Sequence, residues 1–354
     1  PCGSPWVDKR IVGLSSGATS AMPISGVVSS ATSLLGATSG DQVGSGGVFG
    51  LTNGNYVIAS PNWKNGAFTN AGAVTWANGT SGLTGTVSVL NSLVGTRTGD
   101  RVGRDGIQVV GSSNYLVKSS YWNNSFGAVT WASGSSGLIG SVSSTNSLVG
   151  NHADDMAGGL YNIKVLNNGN YVIISPVWDN GSAQNVGAVT WGNGNSGVSG
   201  IISQSNSLIG TAAGQFIGNI GVGVLANGNY IVLSSQFGLS SGSLEGAVTW
   251  GNGATGTVGL VGPSNSLIGS SPNDRVGESG LRAFANSRYV VLSPYWDDGT
   301  GTGMHAGAVT YLDGSAPFSG RVSAENSIIG EPGFSTITPL FLNNDSFIAS
   351  ASAE

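Results

Sequence analysis

The chain of 354 residues is 39% hydrophobic and only 8% charged, with 60 glycines and a net charge of −5. Low charge and abundant glycine suit disorder only where aliphatic and aromatic residues are scarce, and here they are plentiful. With no Lys/Arg cluster and no apolar run near the ~18 residues of a membrane span, neither a nucleic-acid partner nor a transmembrane segment is expected.

The first segment, Pro1-Cys2-Gly3-Ser4-Pro5, is neither a signal peptide nor an intact lipidation site. The expectation is a mature protein or a piece of a longer one. Cys2 is the single cysteine, so no internal disulfide is possible. The Asn/Gly/Ser/Thr-rich, weakly charged character points to an extracellular or cell-surface location.

From there the chain repeats itself. Asn91-Ser92-Leu93-Val94-Gly95 recurs at Asn146, Asn206, Asn265 and Asn326, after a worn copy at Thr32-Ser33-Leu34-Leu35-Gly36. Copies recur about every 59 residues, a spacing that marks a repeat architecture. They run approximately over 37–95, 96–150, 151–210, 211–269 and 270–330. The residues after 330 and those up to 36 together supply one more period. Phe347-Ile348-Ala349 aligns with Tyr56-Val57-Ile58, and Ile11-Val12-Gly13-Leu14 with Ala73-Val74-Thr75-Trp76.

Within the second copy the pattern predicts strands over Val102–Val110, Tyr115–Ser119, Gly127–Trp131 and Leu138–Val142, with Asn146–Gly150 as a link. Asn53-Gly54-Asn55 in the first copy predicts a tight type I′ hairpin, which needs positive φ. Four short strands per unit and no helical period predict an all-β fold. The architecture expected is a single domain over 1–354, a six-bladed β-propeller of four-stranded blades. Its ring is closed by a split blade, 331–354 plus 1–36. The alternative is a β-solenoid, whose coils are usually shorter.

The order Val43-Gly44, Asn53-Gly54-Asn55, Ser60-Pro61, with parallels at Val102-Gly103, Asn168-Gly169-Asn170 and Ser175-Pro176, resembles the FG-GAP repeat of integrin α-subunit propellers. In wording the copies are also similar to repeat arrays of large secreted proteins of the filamentous-haemagglutinin type. The FG-GAP resemblance implies a propeller. Calcium-binding members carry Asp-x-Asp-x-Asp-Gly in the hairpin loop, where this chain has Asn-Gly-Asn, so no metal site and no cofactor are expected.

The candidate ligand-binding set is Trp63, Trp122, Trp178, Phe237 and Trp296, one per copy after the second strand, with Asp179 and Asp297 beside two of them. An aromatic face next to Asp or Asn is how sugars are commonly held. The competing reading is that these rings pack between neighbouring units. In the split unit this register falls on Glu354, with Trp6 and Asp8 as possible substitutes. Trp76, Trp131, Trp191, Trp250, Tyr311 and Leu14 read as a packing position for any large apolar group. Asp41, Asp100, Asp155 and Asp274, replaced by Gln215 and Ser335 elsewhere, read as turn caps more than as a charged ring.

No catalytic residue is assigned. His152 and His305 lie in different units, the arginines are scattered, and no nucleophile or phosphate-loop motif occurs. The function expected is a non-catalytic extracellular binding or adhesion module, holding glycans or other cell-surface ligands through repeated loop sites. The alternative is a structural or assembly module of a larger surface protein or filament; an enzyme that processes glycans ranks third.

Overall fold

The computed structural model describes residues 11–12, 27–155, 163–297, 299, 305–330, 335–342 and 346–352. Five copies share one plan, shown by the first. Gly47–Gly50, Tyr56–Ser60 and Ala73–Ala77 pair antiparallel in chain order, and Ala73–Thr75 then pairs antiparallel with Ser92–Val94. The β-branched and aromatic residues of the second and third strands suit a pleated surface buried on both sides. Tyr171–Ser175 and Tyr230–Ser234, second strands of later copies, are buried along their whole length.

Two strand expectations are corrected. Leu138–Val142 does not complete its own sheet. Gly140–Ser141 instead pairs parallel with Leu93–Val94 of the copy before, and the expected link supplies the real fourth strand, Ser147–Val149. The turning point is Gly140 at φ 99, matched by Gly85, Gly200, Gly259 and Gly320, a conformation that a side chain would oppose. The expected strand from Val102 is cut to Ile107–Val110, because Arg101, Gly103 and Gly106 all have positive φ.

The same lending recurs: Gly200–Ile201 to Leu148–Val149, Gly259–Leu260 to Leu208–Ile209, and Gly320–Arg321 to Leu267–Ile268. Four of the sheets therefore have five strands, the last from the following copy. The hairpin also differs from a type I′ turn. Of Asn53-Gly54-Asn55 only Gly54 has positive φ, and its N–H donates to Leu51 O at 3.0 Å, as in a type I turn followed by a left-handed glycine.

Threonine and serine hydroxyls pair between the third and fourth strands. Thr75 Oγ1 and Ser92 Oγ lie 2.7 Å apart between the third and fourth strands, and Thr130/Ser147, Thr190/Ser207, Thr249/Ser266 and Thr310/Ser327 repeat the pair. Buried hydroxyls so paired avoid the cost of an unmet donor.

The chain divides into two compact units, 1–161 with 194–201, and 162–193 with 202–354. The short insert 194–201 belongs to the first because Gly200–Ile201 pairs with Leu148–Val149. Leu51, Val57, Val74, Leu93, Tyr115 and Val117 form core in the first unit. Leu225, Leu233, Val248, Leu267, Val276 and Val291 do so in the second.

In the first unit Ile11–Val12 pairs with Leu34–Ser33, Ile11 opposite Leu34. Val74 stands opposite Leu93, so Ile11 corresponds to Val74 and not to Ala73, a one-residue correction to the alignment. In the second unit Ser335–Phe341 and Phe347–Ser352 form a two-stranded hairpin in which Phe341 faces Phe347, as Gly50 faces Tyr56. Leu342 N donates to Ser346 O as Leu51 N does to Asn55 O. The tail thus carries first and second strands, and the head third and fourth. Among the described residues no sheet closes on itself.

Candidate functional site

The loops after the second strand are built on the recurrent acid. Asp100 Oδ2 accepts the N–H groups of Thr96 and Arg97, and its Oδ1 accepts Asn123 N at 2.9 Å. Asp41 holds Thr38 N and Lys64 N in the same way, and Asp274 holds Ser270 N, Ser271 N and Asp297 N. These carboxylates tie two turns together and are buried, so they form no exposed ring. Burial lifts the Asp274 carboxyl above its ordinary range, against the opposing pull of the N–H groups of Ser271, Asp297 and Ser270. The serine of Ser60-Pro61 joins the same knot, its Oγ accepting Gly44 N at 3.0 Å.

The aromatic set follows directly. Trp63, Trp178, Phe237 and Trp296 are only 4%, 1%, 1% and 3% exposed, while Trp122 is half-buried. A sugar stacks on an open ring face, and four of the five rings offer none in this structure. The Trp296 indole N–H donates to Ser270 Oγ at 3.0 Å, locking it to the Asp274 turn. Asp179 Oδ1 accepts Asn185 N and Asp297 Oδ1 accepts Gly299 N, so both acids shape their own loops. Trp122 opens a tight turn in which Asn123 and Asn124 are left-handed, which Asn tolerates better than most residues. Each member of the set sits in its own copy. Trp6, Asp8 and Glu354 lie outside the described residues.

The third-strand tryptophans do more than the sequence suggests. Trp76 Nε1 donates to Gly134 O of the next copy at 3.0 Å, and Asn53 Nδ2 and Asn55 Nδ2 donate to the same oxygen at 2.9 Å each. Trp191, Asn168 and Asn170 converge likewise on Gly253 O, and Trp250, Asn227 and Asn229 on Gly314 O. In the second copy Asn114 and Trp131 reach Gly194 O. The acceptor position must be glycine: a Cβ on Gly253 would lie 1.7 Å from Gly228 O, and one on Gly79 1.8 Å from Gly54 O. The signal was present in the sequence. Of the five unsplit copies, the fifth alone replaces both Asn-Gly-Asn, by Asn286-Ser287-Arg288, and the tryptophan, by Tyr311.

The histidines stay apart from this scheme. His305 meets the Tyr295 ring edge-on at 5.4 Å, and His152 gives its backbone N–H to Asp155 Oδ2. Asn91, which opens the recurrent phrase, accepts Ser88 N and donates to Thr86 O, closing the loop between the lent strand and the fourth strand.

Fold and loops together define an all-β protein of six tandem copies, five of which, among the described residues, lend a strand to the copy before. Compared with known families, the chain matches a repeat of unknown function (DUF5650) at residues 12–45, 50–104, 109–159, 165–219, 224–278 and 283–336. Those matches cover most of its length, and the chain belongs to that family. No curated protein matches it. No helix among the described residues is long and apolar enough to cross a membrane.

Proposed function

We propose that this chain is a non-catalytic structural repeat module, a stiff platform within a larger secreted or surface protein. The observation that carries this reading is the burial of Trp63, Trp178, Phe237 and Trp296, which places the largest recurrent side chains in packing and leaves them no ligand face. The extracellular setting is supported by the low-charge, Asn/Ser/Gly/Thr-rich composition. The finer architecture in this reading is the six-bladed propeller, with the split unit as its closing blade. The head strands take third and fourth positions and the tail hairpin first and second, so each half lacks what the other has. The resemblance to FG-GAP repeats supports the same architecture.

Acrylamide quenching tests the carrying observation. The difference in emission between the intact chain and its Trp178→Phe variant isolates Trp178. It should be blue-shifted and barely quenched. A red-shifted, freely quenched difference would return the ring to solvent and end the structural reading.

A second reading, a binding or adhesion module for glycans or cell-surface ligands, is favoured by one observation: the fourth copy keeps an open cleft beside its loop.

A further inference from the structure

The fourth copy departs from its neighbours at three points around one loop. Gln215 stands where other copies carry Asp41, Asp100, Asp155 and Asp274. Phe237 replaces tryptophan. Glu245 occupies a position that is Ala71, Phe126, Val186 or Ala306 elsewhere. These changes act together. Asp100 and Asp274 accept the N–H of the residue after the tryptophan, whereas the Gln215 amide donates to Gly238 O at 2.7 Å, reversing the bond that seats the loop. Glu245, itself buried, takes over the loop: its Oε2 accepts Leu239 N at 2.9 Å and Ser243 Oγ at 2.8 Å. A cleft of about 430 Å³ results between residues 211–215 and 236–244.

Its chemistry is specific. No charged side chain lines it, so neither a phosphate nor a carboxylate finds a counter-charge. The nearby acid already binds the loop framework. No aromatic ring lines it either, which disfavours a flat heterocycle. Apolar surface comes from Ala213, Leu239 and Leu244, and free-standing hydrogen-bonding groups from Ser241 and Gln236. That mixture suits a molecule with C–H faces and hydroxyl edges, and the volume falls in the range of about 300–1,000 Å³ usual for small-molecule sites.

We propose that this cleft binds a neutral, hydroxyl-rich ligand of the size of one or two sugar rings. The proposal deepens the binding reading and does not rest on the buried aromatic set; quenching of Trp178 and occupancy of the cleft report separately.

The test is amide-resolved NMR titration of the full chain with methyl glycosides of neutral hexoses and with glucuronate as the charged control. Saturable shifts confined to 211–215 and 236–244 are expected, with glucuronate weaker. Ala213→Trp, at an exposed position, should weaken binding at least tenfold. Thr98→Trp, at the equivalent exposed position of the second copy, should leave it unchanged. No saturation with any neutral glycoside, shifts spread evenly over all copies, tighter binding of glucuronate, or full binding by Ala213→Trp would each overturn the proposal.

Discussion

The fourth and fifth copies share a plan but differ in what covers them. In the fourth, Ser266–Ile268 is buried throughout because Gly320–Arg321 of the fifth copy lies alongside. In the fifth, Ser327–Ile329 has no such partner among the described residues; its sheet has four strands, and Ile328 is 49% exposed where Leu267 is 0%. The indole of Trp250 reaches Gly314 O, whereas Tyr311 is 40% exposed and its hydroxyl accepts Arg288 Nη1 of its own sheet at 3.4 Å. Tyr311 turns to other company, lying 6.1 Å from Phe284 and 5.9 Å from Phe347 of the tail hairpin. Nearly equal sequences thus acquire unequal burial from the neighbour that follows them. Burial here is a property of succession more than of a single copy.

The largest effect expected from this contrast is at the fourth strand. Leu267→Ala should cost about 2–5 kcal/mol, as for a fully buried leucine, and Ile328→Ala less than about 1 kcal/mol. Chemical denaturation of both variants decides it, and equal losses would break the comparison. Next comes the junction itself. Trp250→Phe removes one of three donors to Gly314 O and should cost about 1–2 kcal/mol, while Tyr311→Phe should cost under about 0.5 kcal/mol. Matching values in thermal unfolding would mean that the indole N–H contributes nothing. The smallest effect is a gain. Ser287 holds φ 67 in the hairpin where Gly228 holds φ 87, so Ser287→Gly should stabilise by about 0.5 kcal/mol, relief of the left-handed backbone exceeding the entropy cost of glycine. A lower melting temperature for that variant would contradict the account.

Much of this was legible in the residues, and the losses have physical causes. The recurrent Asn-Ser-Leu-Val-Gly phrase revealed the copies, and Tyr56–Ser60 and Ala73–Ala77 announced themselves through β-branched runs. Leu138–Val142 marked a strand around Gly140–Ser141 but not its partner, because two paired residues have no period to detect and the partner lies in another copy. Trp76 looked like packing because its donor role depends on a carbonyl in the next copy, beyond any local pattern. The candidate site fared less well. A tryptophan beside Asp or Asn carries the same letters whether the ring faces solvent or core, and here the buried Asp turn draws the loop down over it. The cleft of the fourth copy leaves no sequence pattern for the opposite reason: Gln215 and Glu245 are single departures in a monotonous chain, and only their joint effect on the loop gives them meaning.

The lent strands also give the array a direction. Each one among the described residues is donated backward, as from Gly140–Ser141 to Leu93–Val94 and from Gly320–Arg321 to Leu267–Ile268. Excising a copy therefore strips the roof from the one before it while leaving the one after with its own sheet whole. Gain or loss of length during divergence is constrained to whole modules, and damage should spread toward the N-terminal side of a break.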